Sequence, residues 1–221
     1  MVEGEKGVTE LLASDFKTTL VCATKDFLAR QGKIIPHDGV EVIEVTRADL
    51  ESIGSVETNE SVLAVAQMRS NSRPVIASTD YALVLDDIRD PGNLGTIVRT
   101  ADWYGIKHVI ASEETADLYN PKVIRSTMGS FCRVSVFYTA LNEFLNDAKV
   151  PVYGAFMDGE DVHRLTFAPG GMIVIGNESN GISEEVGRYI TKRITIPRFG
   201  NAESLNASIA AAVVLDNLRR R

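Results

Sequence analysis

Six short apolar runs, most of them separated by helical patterns, constrain residues 79–221 more than any other feature. The runs lie at 82–85, 108–111, 134–137, 152–156, 172–175 and 194–196. Between and after them the spacing predicts helices at 94–105, 121–128, 140–148, 183–190 and 204–219. Alternation of this kind implies a mainly parallel sheet covered by helices on both faces, an α/β fold. In such sheets ligands bind beyond the carboxyl ends of the strands, so the loops that follow the runs carry the chemistry.

The loop after the first run reads D-D-I-R-D-P-G-N-L-G, residues 86–95. Pro91-Gly92 is a turn pair, and Asn93 is placed to cap the next helix. Arg99 follows six residues later, about 240° further round a helix. A helix N-terminus beside an arginine is a natural anion site. A capped helix with a solvated arginine is the plainer alternative. The loop after the fifth run, 175–183, reads I-G-N-E-S-N-G-I-S. Gly176 and Gly181 mark a sharp turn or a close approach. Ser183 is a good cap for a helix opening with Glu184 and Glu185. Glu178, at a strand end, needs hydrogen-bond donors wherever it is buried. The fourth run enters a further glycine-bearing loop, Gly154-Ala155 to Gly159. Residues 120–130 read as a helix ended by Gly129.

The last stretch, I-T-I-P-R-F-G-N-A-E-S-L-N-A-S, leads into the terminal helix. That helix is apolar almost all round, which predicts deep burial. Ser204, Asn206 and Ser208 sit at its mouth and need partners there. Ser204 is the expected N-cap.

Residues 1–70 read as a small α/β unit. Val8, Leu11 and Leu12 lie at helical spacing, strands are expected at 19–23, 40–45 and 61–66, and helices at 25–30 and 47–53 behind Thr46. His37, between Pro36 and Asp38-Gly39, reads as surface loop. A polar, proline-ended stretch (67–74) then marks the boundary, with a linker at 71–78. The net charge of −7 counts against strong non-specific nucleic-acid binding and leaves room only for a local basic patch. The charged start predicts no signal peptide, and no apolar run has the length of a membrane span. Cys22 and Cys132 have no metal or redox spacing, which suits a reduced, cytoplasmic protein.

Three of these stretches, N-L-G-T-I-V-R (93–99), I-G-N-E-S-N-G-I (175–182) and I-P (196–197) with S-L-N-A-S (204–208), together resemble the three motifs of the SpoU (TrmH) branch of the SPOUT RNA methyltransferases. R-S-T-M-G-S (125–130) is also similar to that family. The likeness covers about 80–221. In E-G-x-K-x-V-x-E-L-L (3–12), the first unit resembles the L30e-like substrate-binding domain that often precedes this fold. The basic helix that commonly comes before that motif is not expected here.

The resemblance implies a C-terminal trefoil knot, an exception to the usual un-knotted topology. It also implies a homodimer, with tRNA or rRNA as substrate. S-adenosyl-L-methionine (AdoMet) would be held by Gly154, Ala155, Ile175, Gly176, Ile196, Leu205, Asn206 and Ala207, and the reaction would be methylation of a ribose 2′-hydroxyl. Arg99 would serve as base or as positioning group, Asn93 and Ser204 would orient the ribose, Glu178 would hold the motif loops and Asn206 would tie the cofactor loop. Arg125 is open between the site mouth and a partner subunit. G-x-G-x-x-G and P-loop patterns are absent, so dinucleotide and P-loop chemistry have no support. An RNA-binding module without turnover and a base-methylating enzyme of the same fold are the alternatives.

Overall fold

The computed structural model describes residues 1–36, 38–54 and 61–220. The reading of His37 lies outside these residues. The first unit runs β1 (Val2–Glu3), α1 (Glu5–Leu12), β2 (Thr18–Ala23), α2 (Lys25–Gln31), β3 (Glu41–Glu44), α3 (Arg47–Ile53) and β4 (Val62–Ala66). Its sheet has the order β1-β4-β2-β3. β4 is antiparallel to both neighbours, and β2 runs parallel to β3. Gly4 (φ 87°) turns the chain from β1 into α1. Thr46 and Asp49 form a reciprocal capping box at α3, as the sequence suggests. Hydrogen bonds from Thr46 hold the Asp49 carboxyl below its usual pKa.

The second unit runs β5 (Tyr81–Asp86), α4 (Pro91–Trp103), β6 (His108–Ala111), α5 (Pro121–Thr127), β7 (Ser135–Tyr138), α6 (Leu141–Asn146), β8 (Val152–Asp161), β9 (Gly171–Gly176), α7 (Glu184–Gly187), β10 (Lys192–Thr195) and α8 (Ala207–Arg219). Its sheet has the order β10-β8-β9-β5-β6-β7, and every pairing is parallel. Successive side chains alternate between faces, so each inner strand feeds two cores. Leu83, Leu85, Ile173 and Ile175 join α4, α5 and α8. Val84, Ile110 and Val174 join α6 and α7. α4 packs closely on α5 because position 95 is glycine: a Cβ there would stand 2.4 Å from the Ser126 Cβ.

The two units share the first core, in which Val8 and Leu11 belong to one cluster with Val123, Ile124 and Phe131. Arg133 bonds both Glu10 and Asp102, and these carboxylates raise its pKa further above its usual range. The segment between β4 and β5 has no helix or strand, but it is tied down. The Arg69 guanidinium lies 4.0 Å over the Phe16 ring and donates to the Cys132 carbonyl. Asn71 exchanges two hydrogen bonds with the Tyr138 backbone, at 2.8 and 2.9 Å. Both cysteines are free and buried, and burial pushes both thiols up in pKa.

Several expectations need correction. α8 starts at Ala207, not near Ser204, because Asn206 is its cap. It is buried on one face only, and Ile209 is 51% exposed. The cap of α4 is Asp90, whose carboxylate accepts from the Asn93 amide at 2.8 Å. α7 is a single turn capped by Ser183. β8 runs five residues past the predicted apolar run, and β1 was not anticipated. Met128 (φ 52°) closes α5 just before Gly129.

Candidate active site

Three loops meet at the carboxyl ends of β5, β9 and β10, and Asn93 joins them. In the first turn of α4, its Nδ2 donates to Glu178 Oε1. Its Oδ1 accepts from Asn206 Nδ2 at 2.9 Å. Asn206 spends its own carbonyl oxygen on the start of α8, accepting from the Ser208 amide (2.9 Å) and hydroxyl (2.6 Å). One carboxamide therefore bonds a residue from each of the other two loops, with no apolar contact required.

The Glu178 loop is built to hold that carboxylate in place. Asn177 and Gly181 exchange backbone hydrogen bonds of 3.0 and 2.9 Å, closing a tight turn in which Gly181 has φ +69°. A Cβ on Gly176 would stand 2.2 Å from the Gly181 carbonyl carbon, so only glycine fits beneath the turn. The β5 loop fastens to it twice. Asn177 Nδ2 donates to the Asp87 carbonyl at 2.8 Å, and the Ser183 amide donates to Asp86 Oδ2 at 2.7 Å. Asp87 is held at φ 62°, and Arg89 bonds its carboxylate, which raises the arginine pKa further.

Next to this junction the sheet splits. β8 pairs with β9 only as far as Gly154↔Val174, whereas β9 continues along β5 to Gly176. Beyond Val174 the β8-facing edge of β9 has no ladder partner. β8 then pairs with β10, but the register jumps from Arg193↔Gly154 to Ile194↔Glu160, so 155–159 bulge outward. Gly154 leaves room for side chains where the strands part, since a Cβ would meet the Phe156 ring at 2.7 Å and Ile190 at 2.9 Å. Unpaired backbone groups beside Ile175, Ala155 and Ile196 suit a flat heterocycle that needs both hydrogen bonds and apolar cover. The residues present thus fit the adenosyl part of AdoMet.

The structure does not bring every expected residue into the junction. Arg99 is exposed on α4, and its side chain makes no hydrogen bond or ion pair to another described residue. Ser204 is exposed before the helix and bonds no described residue. Leu205 is 46% exposed, while Ala207 is buried in the first turn of α8. Arg125 lines a crevice between α5 and residues 1–7. His108 and His163 are engaged elsewhere, with Ser135 and Asn217. Burial lowers the pKa of His108. Sequence reasoning missed Asp86, Asp87, Asn177 and Asp90 as loop-fixing residues. The available signal was the density of Asx residues at two strand ends.

A model of the SpoU rRNA methylase family matches residues 80–216. The chain belongs to that family. It is similar along nearly its whole length to the 23S rRNA (guanosine(2553)-2′-O)-methyltransferase RlmP of Bacillus subtilis, with 30% identity over 226 residues, 99% of this chain and 88% of the relative. Among solved structures, a protein assigned to the TrmH family of RNA methyltransferases from Porphyromonas gingivalis superposes with a TM-score of 0.88 at 36% identity, covering 99% of this chain and 88% of the other. An AdoMet-bound rRNA methyltransferase from Sinorhizobium meliloti gives the same TM-score at 28% identity, covering 99% and 85%.

Proposed function

We propose that the AdoMet-dependent RNA 2′-O-ribose methyltransferase activity of this family member acts on ribosomal RNA through the three loops that Asn93 joins. The observation that carries this reading is the Glu178–Asn93–Asn206 chain, in which one residue from each motif loop is bonded within a single protomer. Ribosomal RNA is preferred because RlmP, similar over 99% of this chain, is named for 23S rRNA.

AdoMet, when bound, supplies a methyl group on a sulfonium, already a strong electrophile. Gly154, Ala155, Ile175, Gly176, Ile196, Leu205, Asn206 and Ala207 would hold it, through backbone groups at the split between β8 and β9 and apolar cover around it. Asn93 and Ser204 orient the ribose, and Glu178 keeps the loops together. A guanidinium such as that of Arg99 is a poor base at neutral pH. Its role is to hold an RNA phosphate and the 2′-oxygen in line with the methyl group, and positioning of that kind supplies up to about 7–11 kcal/mol.

The chain works as a homodimer in this reading. α4 and α8 run side by side and leave Thr96, Arg99, Trp103 and Ile209 exposed, with Trp103 at 84%. An exposed aromatic and aliphatic stripe on a helix pair is suited to a second copy. That location would place Arg99 at the subunit boundary and explain why its side chain bonds none of the described residues. Residues 1–70 form the L30e-like RNA substrate-binding domain, 71–78 the linker and 79–221 the methyltransferase domain, with a C-terminal trefoil knot. The protein acts in the cytoplasm; no helix of the described residues is long and apolar enough to cross a membrane.

Calorimetry with AdoMet, run beside methyl transfer to an unmodified large-subunit rRNA transcript, tests the reading. Binding with transfer is the expected result. Binding of AdoMet and RNA without transfer would favour an RNA-binding module instead.

A further inference from the structure

The loop between β10 and α8 carries an aromatic side chain that the fold does not use. Every residue from Arg198 to Asn206 is exposed, and Phe199 is 97% exposed. Its ring packs against none of the apolar clusters, and no described aromatic ring lies against it. The ends of this loop are fixed beside the site. Ile196 packs on the main core, and Asn206 is bonded to Asn93 and caps α8. The loop therefore holds out a flat apolar face a few residues from the site without spending it on folding.

The neighbours of Phe199 decide what such a face fits. Arg198, Gly200, Asn201, Glu203 and Ser204 surround it in the chain, all exposed and none a large apolar residue. A protein-binding hot spot sits in a closed apolar patch that excludes water. A lone ring among hydrogen-bonding side chains and a guanidinium is the arrangement that takes an unstacked nucleobase. Arg198 is turned back toward the Ala202 carbonyl at 3.3 Å, a long exposed bond that a phosphate or base edge would readily displace.

We propose that Phe199 stacks on a base of the RNA substrate flanking the target ribose, with Arg198 beside it, and so positions the strand over the site. This deepens the ribosomal RNA reading and rests on it. Base stacking on an aromatic side chain corresponds to about 5- to 150-fold in affinity.

The test compares wild type, Phe199→Ala and Phe199→Tyr. Anisotropy with a labelled, unmodified large-subunit rRNA transcript reads RNA binding without turnover, and methyl transfer reads KM and kcat. Phe199→Ala should raise Kd and KM for RNA by about 5- to 150-fold. AdoMet affinity, thermal midpoint and sedimentation should be unchanged, and Phe199→Tyr should restore RNA binding. Unchanged RNA binding in Phe199→Ala overturns the proposal. So does a variant that loses AdoMet affinity, which makes Phe199 a cofactor contact, or one that changes sedimentation, which makes it a subunit contact. Wild type that binds RNA through Phe199 but transfers no methyl group would instead overturn the function and leave the stacking intact.

Discussion

The first turn of α4 and the turn around Arg99 belong to one helix, yet they are built on opposite plans. Asn93 is bonded on both sides of its carboxamide, to Glu178 and to Asn206. Arg99 lies about 9 Å further along the axis, exposed and without a partner in the described chain. A preorganised group contributes to stability even when nothing is bound, because its bonds exist in the empty protein. A group left in solvent contributes nothing to folding and is free to respond to a ligand. The contrast separates residues that make the site from residues that work in it.

Substitutions can break that separation, and the largest effect on transfer belongs to Arg99. Arg99→Ala should lower kcat by about 10²- to 10³-fold or more, with AdoMet affinity and thermal midpoint unchanged. Near-normal turnover by this variant would remove Arg99 from the mechanism. Gly176→Ala comes next and acts through the fold. Its methyl group would collide with the Gly181–Ile182 backbone, where no side chain can yield. A loss of about 1–3 kcal/mol or more is expected in chemical denaturation, together with weakened AdoMet binding.

Asn93→Ala tests the bonded end of the helix. It removes two hydrogen bonds, one at the half-buried Glu178 carboxylate and one at the exposed Asn206 amide, so it should cost about 0.5–1.5 kcal/mol and lower the thermal midpoint, which Arg99→Ala should not do. If both variants melt alike, the contrast between the two turns fails. Glu178→Gln should be the mildest, within about 1 kcal/mol, because the amide oxygen still accepts from Asn93. A Glu178→Gln variant as damaged as Asn93→Ala would mean that the charge, and not the bond, holds the loops.

The parallel sheet was legible because its inner strands, β5, β6 and β9, are buried on both faces and read as continuous apolar runs. Val84 and Leu85 serve different cores, yet both must be apolar. The three motif loops were legible through their residue types, and the resemblance supplied the roles. The link from Asn93 to both Glu178 and Asn206 could not be read, since the partners are 85 and 113 positions away. The cap of α8 was misplaced because Ser204 and Asn206 are both good caps. The choice fell to Asn206 where its carboxamide could serve the helix and Asn93 together. The split between β8 and β9 was invisible for a similar reason. Sequence periodicity reports which face a residue takes, not where two strands stop pairing.

Alkaline hydrolysis distinguishes methylation of a ribose from methylation of a base. Unmodified rRNA would be incubated with methyl-labelled AdoMet and the enzyme, then digested in alkali, which cleaves only next to a free 2′-hydroxyl. Label recovered in alkali-resistant dinucleotides is the predicted result. Label recovered in mononucleotides would mean methylation of a base and contradict the role given to Arg99.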